Sequence, residues 1–161
     1  MAQFSAHMTW ILLLVMLTYG FNSYLERREN PNAELVTFTG GSTSVVLRSD
    51  RRGQYRAPGT INGSPVNFIV DTGATYVSLS KGLANRLALP IEGQGFATTA
   101  NGRVQVELTR LTSVQLGGLT MTDVDAMVMP VLDEGVVLLG MSFLKHLELN
   151  QREGELRLSL P

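Results

Sequence analysis

The 161-residue sequence predicts an all-β domain, a closed barrel or one half of a sandwich, with one or two short helices behind an apolar N-terminal helix. Three observations predict it. Short apolar or β-branched stretches recur with tight turns between them, helical periodicity is confined to two brief segments, and no charged side chain precedes Glu26 except a titratable His7. The charged portion, Glu26 to Pro161, is long enough for one core and too short for two. A net charge of -1 and a pI near 6.1 argue against a dedicated nucleic-acid binder. With no cysteine and two distant histidines, disulfide scaffolds, thiol catalysis and thiolate metal sites are excluded, and no metal or cofactor is expected.

Residues 1–25 are expected as an N-terminal membrane anchor. Met8 to Phe21 reads MTWILLLVMLTYGF, and the uncharged flanks extend this core to the roughly 20 residues that a spanning helix needs. Trp10 at one end and Tyr19, Phe21 and Tyr24 at the other stand where interfacial aromatics belong. A cleaved signal peptide would want a basic start and a small-x-small cleavage site, and neither is present. Contact with the membrane is therefore assigned to residues 8–25, in a single-pass arrangement. Arg27 and Arg28 directly after the span favour a cytoplasmic domain. Residues 26–44, polar and broken by Pro31, Gly40 and Gly41, read as a juxtamembrane linker before a domain over 45–161.

Within that domain, strands are expected at Val45–Leu47, Gln54–Ile61, Val66–Val70, Tyr76–Leu79, Phe96–Ala100, Val104–Leu116, Leu119–Val128, Val136–Leu139 and Glu155–Leu160. Asn62-Gly63 and Asn101-Gly102 are hairpin turns, because both residue types tolerate positive φ; Gly117-Gly118 and Gln151–Gly154 supply two more. Lys81–Leu89 and Met141–Leu147 are the two short helices. Arg48, Arg51, Arg52 and Arg56 read as a solvated hairpin interrupted by Asp50, and His146 as a helix-end residue.

The chemistry concentrates in Phe68-Ile69-Val70-Asp71-Thr72-Gly73-Ala74, an apolar strand that runs straight into an acid. As a bare tripeptide, Asp-Thr-Gly is an ordinary turn after a strand. A carboxylate delivered by a buried strand is partly desolvated and suited to proton transfer, while glycine admits a close backbone and threonine is small enough to bury its hydroxyl.

Asp71-Thr72-Gly73-Ala74 resembles the catalytic signature of aspartic peptidases, and the remaining features resemble their single-domain, retropepsin-like branch. The hairpin Thr99-Ala100-Asn101-Gly102 lies 28 to 31 residues past Asp71, where such enzymes carry a flap. Val136-Val137-Leu138-Leu139-Gly140 resembles the hydrophobic-hydrophobic-Gly element that threads behind the catalytic loop, and Met141-Ser142-Phe143-Leu144 the short helix after it. The likeness covers roughly Gln54 to Leu160 and is similar in layout to the bacterial membrane-anchored members.

The resemblance implies an aspartic endopeptidase of retropepsin-like fold. Asp71 would be catalytic, Thr72 and Gly73 would support the site, and Ala74, Ala100, Asn101 and Gly102 would border the substrate. Only one Asp-Thr-Gly is present, so a homodimer would supply the second carboxylate, a protein or peptide would be the substrate, and the catalytic domain would face the periplasm. Thr75 and Tyr76 depart from the acidic residues that retroviral members carry at these positions. The alternative reading is a catalytically silent, retropepsin-shaped module for dimerisation or peptide binding.

Overall fold

A computed structural model of the chain describes residues 2–29, 31–38, 43–99 and 102–161. Helix α1 spans Ala2–Glu29. It is followed by β1 (Val36–Phe38), β2 (Ser44–Arg48), β3 (Arg56–Ile61), β4 (Ser64–Val70), β5 (Val77–Ser80), α2 (Lys81–Arg86), β6 (Gly93–Thr99), β7 (Gly102–Leu116), β8 (Leu119–Met129), β9 (Val137–Leu139), α3 (Met141–Leu144), β10 (Glu148–Arg152) and β11 (Glu155–Ser159).

The strands form two sheets. In the larger, the order is β3-β4-β9-β5-β8-β7-β6, and β3 also pairs with β7 through Thr60↔Gln115 and Ile61↔Val114. That second pairing closes six strands into a barrel and leaves β6 attached to β7 alone, as one arm of a protruding hairpin. Closure is tight at Gly59, where a side chain would collide with the Gln115 carbonyl and the Phe68 ring. The Asn62-Gly63 turn forms as expected, with φ of 50° and 78°. Asn62 then ties the turn to β7, its N–H donating to Ser113 O at 2.9 Å and its Oδ1 accepting from Ser113 N at 3.0 Å. The smaller sheet has the order β1-β2-β11-β10, antiparallel throughout.

One apolar core serves both sheets. Val45 and Leu47 of β2, Leu156 and Leu158 of β11, and Ile61, Phe68, Leu79, Leu111, Leu139 and Phe143 are buried in it. The alternation along each strand places these residues on one face, so burial selects the register.

Three expectations need correction. Among the described residues no helix is long and apolar enough to cross a membrane. The unbroken apolar run of α1, Trp10–Leu17, covers only eight residues or about 12 Å of helix, and Thr9, Thr18, Gly20 and Asn22 flank it. The segment 26–44 is more than a linker: β1 lies within it, and the buried Asn32 is built into the domain. Asn32 Nδ2 donates to the carbonyls of Arg48 (2.8 Å) and Arg56 (2.6 Å), and its Oδ1 accepts from Arg48 N at 2.7 Å. Finally, both short helices end early. Leu87 caps α2 and Ala88 turns left-handed at φ 50° ahead of Pro90, while Lys145 caps α3.

Candidate active site

β4 buries Phe68 completely and delivers Asp71 one residue past its end. It runs parallel to β9 with Phe68↔Val137, Ile69↔Leu138 and Val70↔Leu139. Asp71 N continues this ladder by donating to Leu139 O at 3.1 Å. The chain then reverses. Gly73 N donates to Asp71 Oδ1 at 2.9 Å and Ala74 N to Asp71 O at 3.2 Å, so the acid organises its own turn. A Cβ on Gly73 would stand 3.2 Å from that same Oδ1, a crowded approach that glycine relieves. Among the described residues, no donor reaches Asp71 Oδ2. Asp71 and Ala74 are half-buried, and Thr72 and Gly73 are exposed.

The loop 71–76 joins β4 to β5, yet β9 lies between those two strands. The connection must therefore pass over the end of β9, where Gly140 stands. A side chain at Gly140 would overlap the carbonyl of Tyr76 and come within 2.7 Å of Ala74 O. With only hydrogen there, the backbone of 141–142 closes on the loop: Met141 N donates to Ala74 O (2.8 Å) and Ser142 N to Thr75 O (2.9 Å). The buried Ser142 hydroxyl completes the clamp by accepting from Val77 N at 2.9 Å. The Asp71–Tyr76 loop and the start of β5 thus rest on residues 65 to 67 positions later in the chain.

The β6–β7 hairpin is paired from Gly93↔Leu108 to Thr99↔Gly102. Of the expected flap-tip residues, Ala100 and Asn101 lie outside the described residues. Gly102 opens β7, exposed, with φ 108°, and its carbonyl accepts from Thr99 Oγ1 at 2.9 Å. Under the hairpin lies a second apolar cluster of Val106, Met127 and Met129, against which Tyr76, Ala97, Leu108 and Leu132 pack. Tyr76, an oddity in the sequence, therefore couples the loop to the base of the β6–β7 hairpin through apolar contact. On the hairpin, Arg103 stacks its guanidinium 4.2 Å from the exposed Phe96 ring. A cleft of about 280 Å³ lined by Tyr76, Glu92, Leu108, Arg110 and Asp125 borders this region without including Asp71.

The other aspartates serve elsewhere. Asp50 pairs with Arg56 at 3.2 Å, Asp125 pairs with Arg110 at 3.1 Å, Asp123 lies exposed on β8, and Asp133 is exposed in the loop before β9. Among the described residues no cluster of acids and histidines is arranged to hold a metal. Asp71 is thus a half-buried carboxylate on a loop held by backbone hydrogen bonds, and it could supply half of the pair that acid–base hydrolysis of an amide by two carboxylates would use.

A family profile described as gag-polyprotein putative aspartyl protease matches residues 57–146, a span that runs from β3 through the Asp71 loop to the end of α3. The chain belongs to that family. Its fold is that of the retropepsin-like aspartic proteases. The crystal structure of a retropepsin-like aspartic protease from Rickettsia conorii superposes with a TM-score of 0.58 at 26% identity, covering 71% of this chain and 97% of that one. An uncharacterized protein in the cobV 5′ region of Sinorhizobium sp is 34% identical over 130 residues, covering 78% of this chain and 56% of the relative. The chain therefore spans little more than half the length of that curated relative.

The sequence missed Ser142 and the depth of the Gly140 contact. Gly140 was visible as the end of an apolar run, whereas Ser142 carries no local signal because its partner, Val77, is 65 residues away.

Proposed function

We propose that this retropepsin-like chain is an aspartic endopeptidase that works as a homodimer, Asp71 of each copy meeting across a two-fold axis. The observation that carries the reading is the placement of a half-buried Asp71, one of whose carboxylate oxygens has no partner among the described residues, on a loop clamped by Gly140 and Ser142. Two carboxylates in contact cannot both ionise readily, so the pair would hold a single proton. The ionised member takes a proton from a water lying between the two, and the oxygen of that water attacks the scissile carbonyl. The protonated member donates to the carbonyl oxygen, and collapse of the tetrahedral intermediate releases the amine after it takes up a proton. No covalent intermediate arises. Thr72 would bond across the dimer, Gly73 and Ala74 would border the substrate backbone, and Ala100, Asn101 and Gly102 would close over it.

The test uses the full chain, because truncation at residue 45 removes β1 and the three hydrogen bonds of Asn32. Incubated with a denatured protein at mildly acid pH, it should give cleavage that a statine-type inhibitor blocks. Asp71→Asn should abolish cleavage and leave the fold intact, since the amide oxygen can still accept from Gly73 N. Persistent cleavage by the purified variant removes the assignment, and no cleavage by a dimeric wild type favours the silent module.

α1 belongs to the same proposal as the element that attaches the protein to a membrane. Consecutive side chains from Trp10 to Leu17 are exposed around the whole helix, together with Tyr19 and Phe21. Membrane-fraction recovery should be lost when residues 2–25 are deleted. The resemblance favours the periplasmic side of the membrane for the domain, and a C-terminal reporter active on one side of the membrane tests it.

A further inference from the structure

The cleft at the base of the β6–β7 hairpin is built on one row of side chains across three strands. The parallel register Val77↔Ala126 sets Tyr76 beside Asp125, and the antiparallel pair Arg110↔Asp125 puts Arg110 on the other side of the same acid. Glu92 closes the row from the hairpin, where its N–H donates to Leu108 O at 2.8 Å. The Arg110 guanidinium lies 3.1 Å from Asp125 Oδ1 and 3.7 Å from Glu92 Oε2. One cation is shared between two carboxylates, and among the described residues no other lysine or arginine pairs with either of them. The row therefore keeps one negative charge uncompensated.

Apolar surface lies alongside that charge. Tyr76, Leu108 and Ala126 line the cleft of about 280 Å³ together with the charged row. Gly93 keeps it open, for a Cβ there would meet only Leu108 Cδ1, at 3.9 Å. An unbranched stem laid on Leu108 and the Tyr76 ring, with a cation at its tip, matches both surfaces. Long basic side chains bury their methylenes in this way, and an aromatic face attracts the cation. An acidic side chain would meet like charge. A purely apolar one would cover carboxylate oxygens and give them no donor.

We infer that this cleft is the specificity pocket of the Asp71 site and takes a lysine or arginine side chain of the peptide. The inference rests on the endopeptidase reading above, in which the peptide lies between the loop 71–76 and the hairpin. Tyr76 belongs to that loop, and Gly93 and Leu108 to the hairpin base, so the cleft opens off the same gap. Because Asp71 does not line it, the side chain it takes belongs to a residue beyond those flanking the scissile bond.

Two measurements test the pocket. In the first, the full chain digests denatured serum albumin, and mass spectrometry of the products reads the residues around each cut. Lysine and arginine should be enriched about fivefold at one position within about four residues of the cut. The charged row fixes the sign for each variant. Asp125→Asn and Glu92→Gln should each lower the enrichment, and the double variant should remove it. Arg110→Gln, which takes away the resident cation, should raise it about threefold. Asp123→Asn, an equal change of charge outside the cleft, should leave it unaltered. Gly93→Leu should fill the cleft and abolish the preference. A row that merely braces the hairpin would lose preference in Arg110→Gln as well, and that result overturns the pocket. In the second, random octapeptides are selected on immobilised Asp71→Asn protein, which reads the cleft without turnover; basic residues should again be enriched, and Asp125→Asn added to this variant should lower the enrichment. Enrichment here without cleavage by wild type upholds the pocket and overturns the peptidase. Cleavage with no basic preference, unchanged in Asp125→Asn, overturns the pocket and leaves the peptidase standing.

Discussion

Replacing Gly140 by alanine should damage the Asp71 loop out of proportion to its one added methyl. Gly140 has φ −91° and ψ −173°, extended backbone that alanine adopts freely. Backbone entropy alone would therefore make Gly140→Ala stabilising, by about 0.4–1 kcal/mol. Sterics reverse the sign. The new Cβ would overlap the Tyr76 carbonyl and lie 2.7 Å from Ala74 O, and both obstacles are main chain that no rotamer change can clear. Overpacking of this kind costs about 1–3 kcal/mol. Pushing the loop away also strains Met141 N to Ala74 O (2.8 Å) and Ser142 N to Thr75 O (2.9 Å), each worth about 1 kcal/mol. The balance is a loss of about 2–4 kcal/mol, a fall in melting temperature of roughly 6–12 °C for a chain this size. Circular dichroism melts measure it against Gly135→Ala, where nothing lies within 4 Å of the added Cβ and the same entropy argument leaves stability unchanged or raised by up to about 1 kcal/mol. Because the loop carries Asp71, cleavage measured well below the melt should fall about a hundredfold. If Gly140→Ala melts within about 2 °C of Gly135→Ala, the loop does not rest on Gly140 and the account of the site is wrong.

Ser142→Ala should lower stability by about 1–3 kcal/mol, since it strands the buried Val77 N–H; an unchanged denaturation midpoint would show that the hydroxyl is dispensable. Asn32→Ala removes three hydrogen bonds to β2 and β3 and should cost about 2–4 kcal/mol by urea unfolding, with deletion of residues 2–25 costing far less. Equal effects from the two changes would mean that 26–44 behaves as a tether. Gly59→Ala, blocked by the Gln115 carbonyl, should destabilise the barrel as Gly140→Ala does, while at temperatures where it is folded its cleavage rate stays near wild type. A hundredfold loss there would erase the distinction between barrel closure and loop support.

Much of the molecule was legible along the chain because its signals are local. Asn62-Gly63 sets its own positive φ values, the apolar strand before Asp71 sets its own burial, and Asp71 and Gly73 close a turn through atoms two residues apart. β10 was invisible for the same reason. Its five residues show no apolar alternation, since neither face is buried, and only pairing with β11 makes it a strand. Asn32 was misread as linker because an asparagine in a polar stretch gives no hint of the two carbonyls and the amide that it meets 16 and 24 residues onward.

The sequence by itself determined the all-β class, the Asn62-Gly63 hairpin and the strand that delivers Asp71, because turn chemistry and strand period act over a few residues. Only the tertiary structure decided that β9 threads between β4 and β5, that Gly140 and Ser142 hold the Asp71 loop, and that β10 is left as an open edge. Those outcomes depend on which strands share a core, and burial is a property of the closed barrel that no stretch of chain possesses alone.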